Sequence, residues 1–95
     1  MRLSQAEANL IKNGVLQYLP EAEVYLFGSR ADDTRKGGDI DILILADRLL
    51  HFKEKTSIHF EFEKRFGEQK LDLVSMTKES EQPFKKVALH GAIRL

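Results

Sequence analysis

The segment Asp39-Ile40-Asp41-Ile42-Leu43-Ile44-Leu45 restricts this 95-residue chain more than any other. It is too short for a typical globular helix, rich in β-branched residues and preceded by Gly37-Gly38, so it reads as a buried strand. Successive side chains in a strand point to opposite faces. Ile40, Ile42 and Ile44 therefore share one face, and Asp39, Asp41, Leu43 and Leu45 share the other. Two carboxylates project from the same side, at one end of an otherwise apolar element.

The rest of the chain supplies partners for that strand. Ser4-Gln5-Ala6-Glu7 has the form of a capping box, in which the serine hydroxyl and the glutamate carboxylate each satisfy a free backbone N–H. It opens a helix expected over about 5–18, weakened by roughly 1 kcal/mol at Gly14 relative to alanine. Glu23 to Phe27 reads as a short strand stopping at Gly28-Ser29. Asp47 begins a charged stretch in which Phe52, Ile58, Phe62 and Phe66 form the expected apolar stripe of an amphipathic helix, closed by Gly67. Leu71 to Val74 reads as a third strand, with Asp72 and Val74 on one face. A last helix is expected from near Gln82 to His90, with 92–95 left for an edge strand. The sum is an α/β (α+β) sandwich, a small mixed β-sheet flanked by helices.

No repeat or low-complexity tract divides the sequence, so residues 1–95 are expected to form a single domain. Fifteen acidic side chains balance fifteen basic ones. Without a basic excess the counterion release that drives binding to long nucleic acid is missing, and no such partner is expected. The absence of cysteine excludes disulfides and thiolate metal sites. The longest apolar run falls far short of the ~20 residues needed to cross a bilayer, and the first residues lack the apolar stretch of a signal peptide. A cytoplasmic setting with no membrane partner is the expectation; a homo-oligomer stays open.

Chemistry concentrates in three places: Gly28-Ser29-Arg30 after a strand, Asp39 and Asp41 opening the next, and Asp72 on the third. A carboxylate on a buried strand is costly unless paired, hydrogen-bonded or bound to metal. No lysine or arginine lies inside these strands to neutralise the three aspartates. Hard oxygen ligands without nearby histidine or cysteine select Mg²⁺, with Mn²⁺ as the alternative, and three carboxylates suffice for a two-ion clamp on an attacking and a leaving oxygen. Glycine at the turn allows close approach of backbone N–H groups to a phosphate, aided by the Ser29 hydroxyl and by a charge-assisted bond from Arg30. That pairing of phosphate turn and metal ligands suits nucleotidyl transfer.

Val24-Tyr25-Leu26-Phe27-Gly28-Ser29-Arg30-Ala31, the nine-residue spacer over 30–38, Asp39-Ile40-Asp41-Ile42-Leu43-Ile44 and Lys70-Leu71-Asp72-Leu73-Val74 together resemble the minimal nucleotidyltransferases of the DNA polymerase β superfamily. The resemblance runs from about Val24 to Ser75. It implies the polymerase β-like nucleotidyltransferase fold, with Gly28 and Ser29 on the triphosphate tail, Asp39 and Asp41 on both metal ions, and Asp72 completing the catalytic metal site and activating an acceptor hydroxyl. That hydroxyl would attack the α-phosphate of a nucleoside triphosphate and release pyrophosphate. The resemblance further implies a small helical HEPN-domain toxin as partner, this chain as its antitoxin, and AMP from ATP transferred to a tyrosine of that toxin. The familiar form of the motif has ten residues between the serine and the first aspartate; this sequence has nine.

Other readings stand beside these. Asp39 and Asp41 alone would be solvent-facing strand-end carboxylates, Gly28-Ser29 alone a turn, and Arg30 equally a surface partner of Asp32 or Asp33. Arg35 and Lys36 read as a solvated loop, His51 and His59 lie in the amphipathic helix away from the carboxylates, and His90 reads as a helix-end residue. As a whole, the chain could instead be a non-catalytic module that neutralises a partner by covering its active site, or a nucleotidyltransferase acting on a small molecule such as an antibiotic. The last normally calls for a second domain to hold the acceptor.

Overall fold

The computed structural model describes residues 1–35 and 38–95. Lys36 and Gly37, part of the polar loop anticipated before the second strand, lie outside the described residues. In chain order the elements are α1 (Gln5–Tyr18), β1 (Glu23–Phe27), a single 3-10 turn (Gly28–Ala31), β2 (Ile40–Ala46), α2 (Phe52–Phe66), β3 (Leu71–Thr77), α3 (Pro83–Leu89) and β4 (Ile93–Arg94).

The strands form one mixed sheet in the order β3-β2-β1-β4. β1 runs antiparallel to β2 and to β4, whereas β2 and β3 are parallel, joined by the crossover through α2. The alternation anticipated from the sequence is the one that builds the core. Ile40, Ile42, Ile44, Val24, Leu26, Leu71 and Leu73 face α1 and α2, where Ile11, Val15, Ile58 and Phe62 complete the main apolar cluster. On the opposite face Leu43, Leu45, Met76 and Ala88 form a smaller cluster under α3, with Tyr25, Phe27 and Val74 at its border. Each fully buried aliphatic or aromatic side chain contributes about 1.5–3 kcal/mol, so the first face dominates the stability of the domain.

Local chemistry explains the boundaries. The capping box at α1 forms as read: Ser4 Oγ accepts from the Glu7 N–H at 3.1 Å, and the Glu7 carboxylate accepts from the Ser4 N–H at 3.0 Å. Gly14, a liability by helix propensity, has a packing reason, because a Cβ there would stand 3.1 Å from Ile58 Cγ1 of the crossing helix.

The second helix departs from expectation. It begins at Phe52 and not in the stretch after Asp47, because Glu54 accepts the His51 N–H at 2.8 Å and so caps the chain there. Arg48 grips the same carboxylate through two bonds of 3.0 Å, and the Ser75 hydroxyl accepts the Leu50 N–H at 2.7 Å, which pins the entry loop. Phe52 is 81% exposed and not part of the stripe. Six residues of α-helix turn through about 600°, which sets Phe52 roughly 120° away from Ile58.

Candidate active site

Register brings the three aspartates together. In the parallel β2–β3 pair, Asp41 stands opposite Asp72, and both side chains leave the sheet on the α3 side. Asp39, two residues before Asp41, emerges on the same face just ahead of β2. The cluster sits where β2 and β3 begin, beyond the part of the sheet that α3 covers. Asp41 is half-buried, Asp39 half-exposed and Asp72 exposed. The desolvation cost argued from the sequence therefore falls mainly on Asp41. Its carboxyl is held above the ordinary range by burial first, then by the neighbouring charges of Asp72 and Asp39, with Lys70 pulling the other way.

The turn after β1 meets this cluster from the other side. Phe27 pairs with Asp41 in the antiparallel ladder, and the chain then bends through Gly28 at φ +71°. A side chain at Gly28 would be strained by that angle and would collide with the Asp41 carboxylate. The positive φ favours glycine here, and its bare backbone lets the end of the Asp41 side chain come close. The turn itself is the 3-10 turn over Gly28–Ala31, with no side chain capping it.

Arg30 is engaged elsewhere. It donates to the carbonyls of Arg2 (2.8 Å) and Gly38 (3.0 Å), while Arg2 donates to the Ser29 carbonyl at 3.0 Å, so the two arginines clasp the turn to the segment before α1 and to the start of β2. The alternative partner Asp32 instead accepts from Thr34, through its N–H at 2.9 Å and its hydroxyl at 2.7 Å. Neither of the two observed Arg30 bonds is to a carboxylate. His51 and His59 lie at the start and within α2, and His90 follows α3.

Lys70 was not singled out from the sequence. It immediately precedes β3, and its ammonium lies 3.5 Å from Asp39 Oδ2. The alternation of β3, extended back one step from Leu71, places residue 70 on the face of Asp72 and supplies the signal that was available.

The donor set fits a hard divalent cation: oxygen ligands only, on adjacent strands, with mutual repulsion that a cation would relieve. Among the described residues, however, no three acidic or histidine side chains close around one point as a finished cage. An open cleft of about 750 Å³ lies on the β1 side, lined by Phe27, Gly28, Arg35, Phe84 and His90 among others, and none of the three aspartates lines it. Phe84 stacks edge to face on Phe27 there, ring centres 5.9 Å apart.

A glycine turn packed against paired strand carboxylates on a small mixed sheet defines a domain of the nucleotidyl-transfer class. The family model described as polymerase beta, nucleotidyltransferase matches residues 10–95. The chain belongs to that family. Solved structures repeat the fold. A mutant form of the toxin–antitoxin complex MntA–HpeT superposes with a TM-score of 0.70 at 21% identity, covering 93% of this chain and 70% of that one. A tri-AMPylated Shewanella oneidensis HEPN toxin in complex with its MNT antitoxin gives 0.65 at 21% identity, over 95% and 69%. A toxin–antitoxin structure with AMP-PNP gives 0.68 at 22%, over 90% and 69%. No curated protein sequence matches the chain. Among the described residues no helix is long and apolar enough to cross a membrane.

Proposed function

We propose that this domain transfers a nucleoside monophosphate, AMP from ATP, to a hydroxyl on a separate protein, a tyrosine of a HEPN-family toxin, and so acts as the antitoxin of that pair. The observation that carries the reading is the close approach of the Gly28 turn to the Asp41 carboxylate, where a Cβ on Gly28 would collide with it, with Asp72 in register beside it. Phosphate turn and carboxylates form one continuous surface at the rim of the sheet. The similarity to antitoxin chains in complex with HEPN toxins supports the choice of partner.

In this reading Gly28 and Ser29 orient the triphosphate tail, and the two-arginine clasp holds their turn in place. Asp39, Asp41 and Asp72 would hold Mg²⁺, two ions in the full complement, with Mn²⁺ able to substitute. When bound, these ions supply charge neutralisation for the phosphates and for the attacking and leaving oxygens. Asp72, the most exposed of the three, takes the proton of the acceptor hydroxyl on its carboxylate. The acceptor oxygen bonds to the α-phosphorus, the bond from that phosphorus to the β-bridging oxygen breaks, and pyrophosphate departs on the Gly28 side.

The test is labelling of the partner. Purified protein, α-labelled ATP, Mg²⁺ and a HEPN protein encoded beside it should give a labelled HEPN protein, and Asp39→Asn should not. Equal labelling by wild type and Asp39→Asn would overturn the catalytic reading.

A further inference from the structure

We propose that Lys70 is the resident counter-ion of the carboxylate site, holding Asp39 in the metal-free protein and yielding it when a divalent cation arrives. This rests on the nucleotidyltransferase reading of the same site. The placement of Lys70 is set by the backbone. The Ile40 N–H donates to the Lys70 carbonyl at 2.9 Å, and the pairing of Ile40 with Leu71 and Asp41 with Asp72 puts residue 70 level with Asp39, one step ahead of the ladder. Alternation then sends the Lys70 and Asp39 side chains to the same face, where Nζ and Oδ2 lie 3.5 Å apart.

The character of the pair suits a cation meant to leave. The Lys70 and Asp39 side chains are 69% and 49% exposed, so water screens their attraction and little is lost on separation. A buried pair would resist exchange; an absent one would leave three register-neighbouring carboxylates repelling one another without a counter-charge. A single positive charge on a flexible stem also disfavours a bare divalent ion nearby, while it attracts the polyanionic phosphates that would carry that ion in. Lys70 thus biases the site toward a metal–nucleotide complex over free metal. It is a positioning residue acting through Asp39.

The experiment titrates Mn²⁺ alone, without nucleotide, into wild type, Lys70→Gln, Lys70→Arg and Asp39→Asn by calorimetry. Removing one unit charge at about 4 Å in water-like surroundings predicts that Lys70→Gln binds Mn²⁺ roughly 3- to 30-fold more tightly than wild type. Lys70→Arg should stay within about twofold, and the advantage of the glutamine variant should shrink as salt is raised. The exposed side chain and the retained backbone bond of Lys70 leave the fold intact in both variants. Equal or weaker Mn²⁺ binding by Lys70→Gln overturns the proposal. If Asp39→Asn loses Mn²⁺ and wild type labels its partner while Lys70→Gln matches wild type, only the role of Lys70 fails. If Asp39→Asn binds Mn²⁺ as well as wild type does, the carboxylate metal site fails and the counter-ion role with it.

Discussion

The two faces of the sheet are built for opposite purposes. The face under α1 and α2 is closed: Ile40, Ile42, Ile44, Leu26 and Phe62 are almost wholly withdrawn from water, and Gly14 is pared to hydrogen so that the two helices can approach. The face under α3 is covered only in its middle, by a seven-residue helix over Leu43, Leu45 and Met76, and bare where β2 and β3 begin. The carboxylates differ in the same way. Glu54, at the mouth of α2, is bound by Arg48 and the His51 N–H and held down to about 2. Asp41, on the open face, is pushed upward by burial and by like charges. One face puts its ionised groups where they stabilise the fold; the other tolerates groups that ionise against it, as functional sites commonly do.

Substitutions should separate the two faces in a fixed order of effect. Phe62→Ala, in the closed face, should destabilise by about 3–5 kcal/mol in urea unfolding; a loss under about 1 kcal/mol would mean that this face is not the core. Asp41→Asn should lower the rate of partner labelling by at least about 100-fold, as loss of a metal ligand does, yet leave the urea midpoint of metal-free protein unchanged or raised. A marked drop in that midpoint would place Asp41 with the stabilising groups. Gly28→Ala introduces both backbone strain and a clash with Asp41, and should cost about 1–3 kcal/mol while reducing labelling. Phe84→Ala, which loses one edge-to-face contact with Phe27 on the open side, should cost only about 1 kcal/mol.

The smallest effect concerns pH. The folded-state pKa of Glu54 lies below its ordinary value of 4.5, so its contribution is fully present above about 4.5 and disappears as pH falls through about 2. Melting temperature should decline across that window, and Glu54→Gln should flatten the decline there. An unchanged profile in the variant would show that the Arg48 pair is not felt by the folded state.

Much of this was readable from residues alone, wherever a local rule decides. The capping box at Ser4, the alternation of β2 and the stop at Gly28 follow from backbone chemistry within a few residues, and the alternation located Asp39 and Asp41 on one side. What was hidden depends on distant pairing. That β2 and β3 are parallel follows from the α2 crossover, and only that register sets Lys70 beside Asp39, thirty-one residues earlier in the chain. Phe52 misled because it lies at the helix start, where the stripe had been extended backward without regard to angle. The bonds of Arg30 to the carbonyls of Arg2 and Gly38 are likewise contacts that spacing along the chain does not reveal.

The strand order β3-β2-β1 gives the sheet a further use as a ruler. Neighbouring strands stand about 4.8 Å apart, and the turn that follows β1, Asp41 on β2 and Asp72 on β3 lie along three successive strands. On the proposed reaction, the departing pyrophosphate and the incoming hydroxyl would lie on a line that crosses those strands, its length set by two inter-strand hydrogen-bonded spacings. Such a distance resists side-chain motion, because changing it means breaking the ladder. On the same proposal, an acceptor reaching Asp72 would come over β3, an edge strand of the sheet among the described residues.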